Sequence, residues 1–405
     1  MSSTSPPPPP SAPPQRPSNP EAVAESERIH AIDVVRGFAL AGVLLANLMF
    51  SFRVPTSRGY LPPDPDLALA ERAADGFVQV AIQGKAITLF SFLFGVGLAI
   101  QHERFARLGD PRYWLARRLV VLLLVGLVHL TLVWNGDILT EYALAGLLVL
   151  PFLDASTRAL LRWGIALYIF YLVAPVLPFM PAWPDDSLLR AEHADALRIY
   201  GTGTWDEIRR YSLHEWRIFS PVYLSLFTVT PALFLFGVVT WRSGILREPA
   251  AHRTGLRRVA WAGFAGGLTL SWLAFINGTN DAATWTGFAG ATFGPAVLAA
   301  GYGAALVLAV EDHRAPRLLR SLAAAGRMAF TNYLVQSLVF STIFYAGFGF
   351  GLIGKVDAVS ALVGGTAFFV AQVAFSRWWL ARFRFGPLEW AWRSLTYGRA
   401  QPFRR

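Results

Sequence analysis

Apolar runs of roughly twenty residues recur along the whole 405-residue chain, and this restricts the fold more than any other feature. In hydrocarbon no water satisfies the backbone, so a run of that length must close its hydrogen bonds within a helix. The first run, Arg28 to Phe52, also carries ionisable groups into its mouth. On a helix Asp33 and Arg36 lie one turn apart on one face, where an opposite-charge pair forms as the chain enters the membrane. Asn47 returns to nearly the same face about 16 Å further along the axis. Lipid penalises such a stripe, so it is expected to face other helices or a wet cavity, with the remaining spans packed around it.

Composition agrees with this reading. The chain is 54% hydrophobic, only 15% charged and has a mean hydropathy of +0.42, too apolar for ordinary soluble domains. Its net charge of +10 is spread between the apolar runs, which assigns the charge to topology and lipid headgroups and not to nucleic acid. With no cysteine, disulfides, thiolate metal sites and cysteine nucleophiles are excluded. No cleavable signal peptide is visible, and the first span is expected to serve as its own insertion signal.

Taken in order, residues 1–27 form a proline-rich tail expected to be disordered and cytoplasmic. Residues 28–380 form an all-α polytopic bundle of about ten transmembrane spans, and 381–405 a basic, aromatic cytoplasmic tail. Asp66 to Ile82 reads as a short interfacial helix. The second span holds Lys85 and the block LFSFLFGVGLA, in which Gly95 and Gly97 would admit a close neighbour. Asn135, Gly136 and Asp137 turn the third span into the fourth. The polar stretch Pro181 to Arg217, with Trp183, Trp205 and Trp216, suits the membrane interface. Ten spans alternating from a cytoplasmic N-terminus leave about 24 basic residues inside and about 9 outside, as the positive-inside rule requires.

Several blocks resemble one family. IDVVRGFALAGVLLANL, LFSFLFGVGLA, GLVHLTLVWNGDILTEYALAGLL, GRMAFTNYLVQS and FRFGPLEWAWRSLTYGRAQPFRR look like the YeiB-like proteins of domain family DUF418, bacterial proteins of the inner membrane. The first helix also resembles that of the broader transmembrane acyltransferase superfamily. That resemblance implies an acyl group taken from acyl-CoA on the cytoplasmic side and delivered to a saccharide on the far side. The glucosaminide acetyltransferases of that superfamily carry an active histidine in the loop after the first span. Here Arg53 to Asp75 contains none, so only Asp33, Arg36 and Asn47 match.

Sorted by depth, the polar residues form two layers. Toward the outer side lie Asn47, Lys85, His129, Asp137 and Glu141. His129 is expected near Asp137 across the turn, and a carboxylate there would fix its tautomer for taking a proton from an acceptor hydroxyl. His129 thus reads as a general base oriented by Asp137 or Glu141, or else as a hydrogen-bonding tie between helices. Lys85 reads as a partner for a carboxylate or oxyanion, or as a snorkelling lysine. One histidine with two carboxylates at no recognised spacing does not make a metal site. Toward the cytoplasm lie Asp33, Arg36, Asn332, Gln336, Glu389 and Arg393, with Arg36 either a phosphate ligand or only the partner of Asp33. No P-loop, dinucleotide fingerprint or hydrolase elbow occurs in a usable context. The leading expectation is acyl transfer through the membrane. Its rivals are a small-solute transporter, in which the same charges line a permeation path, and a non-catalytic scaffold, in which they pair off without a cavity.

Overall fold

The computed structural model describes residues 30–62, 64, 66–107, 109–174, 177, 184–277, 285–312 and 316–405. The proline-rich tail 1–27, together with Pro63, Pro65 and Trp183, lies outside the described residues. Among those described, the chain is all-helical, and its single β-bridge joins Phe383 to Arg404. Six stretches are long and apolar enough to cross a membrane: His30–Phe52, Leu69–Ala106, Pro111–Leu132, Arg253–Ile276, Ala289–Glu311 and Ala358–Leu380. Phe227–Arg242 and Ala329–Phe344 are shorter apolar helices. Their outward faces are apolar, with Trp261, Val363 and Leu124 all well exposed, as surfaces meant for hydrocarbon are.

Helix α1 (His30–Asn47) runs through the centre of the bundle and continues as a π-turn over Leu48–Phe52. It packs against α3 (Lys85–Ala106), α11 (Trp285–Glu311), α12 (Arg317–Arg327), α13 (Ala329–Phe344) and α14 (Ala358–Leu380). Between α1 and α3 in the chain comes α2 (Leu69–Ala81), a helix within the stretch Asp66 to Ile82 where the sequence suggests one; it packs on α14 and on Arg253–Ile276, and Gly84 at φ +77° separates it from α3. The hairpin α4 (Pro111–Leu132) and α5 (Leu139–Val149), with α9 (Ser220–Arg242) and α6 (Thr157–Val173), flanks the other side of α3. A further pair, α10 (Arg253–Ile276) with α11, closes the bundle.

Two regions to which the sequence reading assigns no element are helical. The polar stretch before Arg217 contains α7 (Asp186–Thr202) and α8 (Trp205–Ile218). Asp185 caps the first and a reciprocal Thr204–Glu207 capping box starts the second. The segment before Met328 is the amphipathic helix α12 lying along α1. A last helix, α15 (Pro387–Tyr397), folds the C-terminal segment back onto α4 and α13.

Candidate functional site

On α4 the buried residues are Leu115, Leu119, Leu122, Gly126 and His129, alternating steps of four and three that define one inward stripe. His129 is therefore carried inward by the same periodicity that buries the leucines, and it is 2% exposed. A Cβ on Gly126 would collide with the backbone of Thr140. The absence of a side chain there lets the start of α5 lie against α4 and brings Asp137 to His129. His129 Nδ1 and Asp137 Oδ1 are 2.8 Å apart, with the carboxyl fully buried. The other oxygen, Oδ2, accepts the Thr140 N–H at 2.7 Å, a helix-start contact that fixes the carboxylate. A carboxylate only accepts, so the imidazole donates from Nδ1 and leaves Nε2 as an acceptor. That buried Nε2 meets no hydrogen-bond partner among the described residues.

Gly126→Ala is expected to push the two helices apart and cost about 1–3 kcal/mol. Thermal unfolding of the detergent-solubilised variant checks this, and an unchanged midpoint would contradict the close approach.

The histidine and Asp137 line neither of two nearby hollows, but the ring of His129 is in contact with a wall residue of each. Its ring centroid is 5.5 Å from that of Tyr333 and 6.4 Å from that of Trp134. Tyr333 belongs to the wall of a cavity of about 350 Å³, and Trp134 to a pocket of about 310 Å³. The larger cavity reaches Ile138, Tyr142 and Tyr333 at its deep end. Toward its mouth it is lined by Arg36, Arg104, Arg118, Arg327, Arg384 and Arg393, against the carboxylates Asp33 and Glu389. Such a mouth attracts anions strongly. On α4 the cavity touches Arg118, Leu119 and Leu122, and His129 lies eleven residues beyond Arg118, about 16 Å along the axis. Between mouth and floor it is lined mostly by apolar side chains, including Leu93, Phe94 and Leu122.

Helix α15 closes one side of the mouth. Trp392 Nε1 donates to the Arg118 carbonyl at 2.9 Å, and the Arg118 guanidinium lies 3.5 Å from the centre of the Trp392 ring, a cation–π contact. Glu389 accepts from the Phe330 and Thr331 N–H groups and from the Thr331 hydroxyl, capping α13. Burial pushes its carboxyl above the ordinary range despite those donors.

The other candidates fall as follows. Asp33 and Arg36 pair at 2.8 Å on the cavity wall. Asn47 is half-buried where α1 widens into the π-turn, and it lines neither hollow. That turn carries Phe52 onto Trp134, their rings stacked with centroids 4.4 Å apart. Lys85 is buried and donates to the Gln79 carbonyl at 2.9 Å. Glu141 turns away from His129 toward α9, where the Thr230 hydroxyl donates to it at 2.5 Å. Asn332 donates to Ser376 and the Ala325 carbonyl, and Gln336 donates to Gln372, so both tie α13 to its neighbours. Gly95 packs on the backbone of Phe234 as expected, whereas Gly97 faces the cavity.

The smaller pocket was not anticipated. Its walls include Trp134 and Asn135 from the turn and Trp205, Arg209 and Trp216 from α8; the tryptophans were visible in the sequence, their convergence was not. Behind it Glu215 accepts from Asn135 and from the Tyr200 hydroxyl, both at 2.7 Å. Burial raises its carboxyl above the ordinary range, outweighing those two donors. The folded state therefore binds a proton that the unfolded chain has already released, and stability falls as pH rises above about 4.3. Glu215→Gln keeps an acceptor for both donors, so its melting temperature is expected to fall less with pH than that of the parent. Parallel slopes in thermal melts across pH 4–8 would contradict this.

Comparison with known proteins adds relatives along the whole length. Residues 240–399 match the family described as protein of unknown function DUF418. Uncharacterized protein YxaH of Bacillus subtilis is 36% identical over 93% of this chain and 96% of its own. Uncharacterized protein YeiB of Escherichia coli is 32% identical over 93% and 98%. An uncharacterized 39.9 kDa protein of Bacillus acidopullulyticus, from the 3′ region of an amylase gene, is 31% identical over 94% and 97%. No solved structure matches the chain. The blocks singled out in the sequence and these full-length relatives agree: the chain belongs to the YeiB-like DUF418 family.

Proposed function

We propose that this protein is an acyltransferase of the bacterial inner membrane, with about ten spans and both termini cytoplasmic. It takes an acyl group from acyl-CoA at the arginine-lined mouth and passes it to a hydroxyl of a saccharide-like acceptor in the outer pocket. The observation that carries this reading is His129, paired to Asp137 with Nε2 bare, its ring beside Tyr333 of the larger cavity and Trp134 of the smaller pocket and screened by them from both. The phosphates of the donor suit the arginines, and its arm suits the apolar passage. With Tyr333 displaced from the floor, Nε2 takes the proton of the acceptor O–H as the oxygen attacks the thioester carbonyl carbon. The C–S bond breaks, and the departing thiolate recovers the proton from the imidazolium. Asp137 holds the ring and balances its transient charge, a positioning role.

A scaffold would leave no void and pair its buried polar groups, and neither the cavity nor the bare Nε2 fits it. A transporter would carry its solute intact, without acyl transfer. Isothermal titration of the purified protein with coenzyme A tests the donor site. Saturable binding is expected, weakened roughly ten-fold or more in Arg36→Ala, since a hydrogen bond to a charged group contributes about 1.5–3 kcal/mol. No binding at millimolar coenzyme A, or equal affinity in the variant, would count against it.

A further inference from the structure

The outer pocket has an unusual boundary. Thr131 and Leu132 on its α4 side continue the exposed apolar stripe of Leu124, Leu127 and Val128, the face that α4 turns to hydrocarbon. On its other side, α8 presents Trp205, Arg209, Ser212 and Trp216 on successive turns, with Leu213 beside them. The adjacent face of α8, Ile208, Tyr211 and Glu215, is buried, and Ile208 also lines the pocket. Leu213 is 50% exposed and Trp216 42% exposed, and tryptophan on an amphipathic helix seeks the headgroup layer. The pocket is thus a cleft between a lipid-facing helix and an interfacial one, open sideways to the bilayer.

Its charge is one-sided. Arg209 and Arg217 line it, and no carboxylate is among the described lining residues. Arg209 also donates to Asp206 at 3.2 Å just outside, which leaves Arg217, exposed on the last turn of α8, as the fuller positive charge. Asn135 and Ser212 add hydrogen-bonding groups between the aromatic walls. A volume of about 310 Å³ suits a polar headgroup rather than a whole amphiphile.

We propose that this pocket takes the anionic, hydroxyl-bearing headgroup of an amphiphile anchored in the outer leaflet, which enters sideways between α4 and α8 while its chains stay in lipid. The acceptor therefore arrives on a membrane tether and is not drawn from the aqueous phase. This rests on the acyl-transfer reading for what happens to the headgroup, but the binding itself needs no turnover.

The test uses full-length protein in mixed micelles of dodecyl maltoside with equal amounts of dioleoyl phosphatidylglycerol and dioleoyl phosphatidylcholine, with retained lipid counted by native mass spectrometry. The parent protein is expected to retain the phosphatidylglycerol roughly ten-fold over the phosphatidylcholine, as two guanidiniums facing one anionic headgroup provide. The double variant Arg209→Gln, Arg217→Gln is expected to lose that preference. Arg198→Gln with Arg210→Gln, which removes exposed charges from α7 and α8 outside the pocket, is expected to keep it. No preference in the parent, or equal preference in both double variants, overturns the proposal. So does displacement of the lipid by millimolar sn-glycerol 3-phosphate, which would make the ligand soluble. Failure of coenzyme A binding with lipid preference intact would strike the acyl-transfer reading alone.

Discussion

His129→Gln is expected to lower acyl transfer by roughly 10²–10⁴-fold, the range that a positioned general base contributes, with coenzyme A affinity unchanged. Glutamine is close in length and its amide can still donate to Asp137, so the hydrogen bond across the α4–α5 turn persists. What it cannot do is accept and return a proton where Nε2 now stands bare. The loss therefore falls on kcat, since Arg118 of the mouth lies about 16 Å away along α4. If the histidine only ties two helices together, the variant would melt earlier and keep its turnover per folded molecule. Stopped-time assays with radiolabelled acetyl-CoA, paired with thermal melts and titration with coenzyme A, separate the two outcomes. Full turnover in a folded His129→Gln protein would remove the catalytic role.

How much of this could be read from the sequence depends on how far apart the partners are. The His129–Asp137 pair was legible because only a short turn separates the two residues, and any tight hairpin brings them together. The choice between Asp137 and Glu141 was not, because Glu141 is satisfied by Thr230, a residue 89 positions later. Asn332 and Gln336 were equally opaque. Their position on an apolar helix marks them as buried, yet only the packing of α13 on α14 shows that Ser376 and Gln372 receive them. The apolar runs announced the membrane helices by hydropathy, whereas α7, α8 and α12 are polar or alanine-rich and announced themselves only by caps and a one-sided apolar stripe. The arginine ring is the clearest case of convergence. Arg104 and Arg118 read as loop charges from the sequence, but α15 folds Arg393 back onto the same mouth as Arg36. No local pattern encodes that return.

Gly97→Phe is expected to abolish acyl transfer while leaving the fold and the arginine mouth intact. Gly95 and Gly97 are two residues apart on α3 and point in different directions. A Cβ on Gly95 would run into the backbone of Phe234, whereas one on Gly97 meets only the tip of Gln101, 3.9 Å away. The second glycine is therefore not there to let helices touch; its missing side chain is part of the open space that leads from the mouth to Tyr142 and Tyr333. A phenyl ring placed there fills the passage without displacing backbone, so stability is expected to change by less than about 1.5 kcal/mol. Donor phosphates would still meet Arg36 and its neighbours, but the thioester would no longer reach His129. The expected signature is lost turnover with coenzyme A affinity reduced by less than about ten-fold, less than the cost of one charged hydrogen bond. Gly97→Ala is expected to keep most activity, because the space accepts one methyl group. Normal transfer by Gly97→Phe would mean that the acyl group travels by some other route, and the cavity would then have to be read as a binding site that does not lead to the histidine.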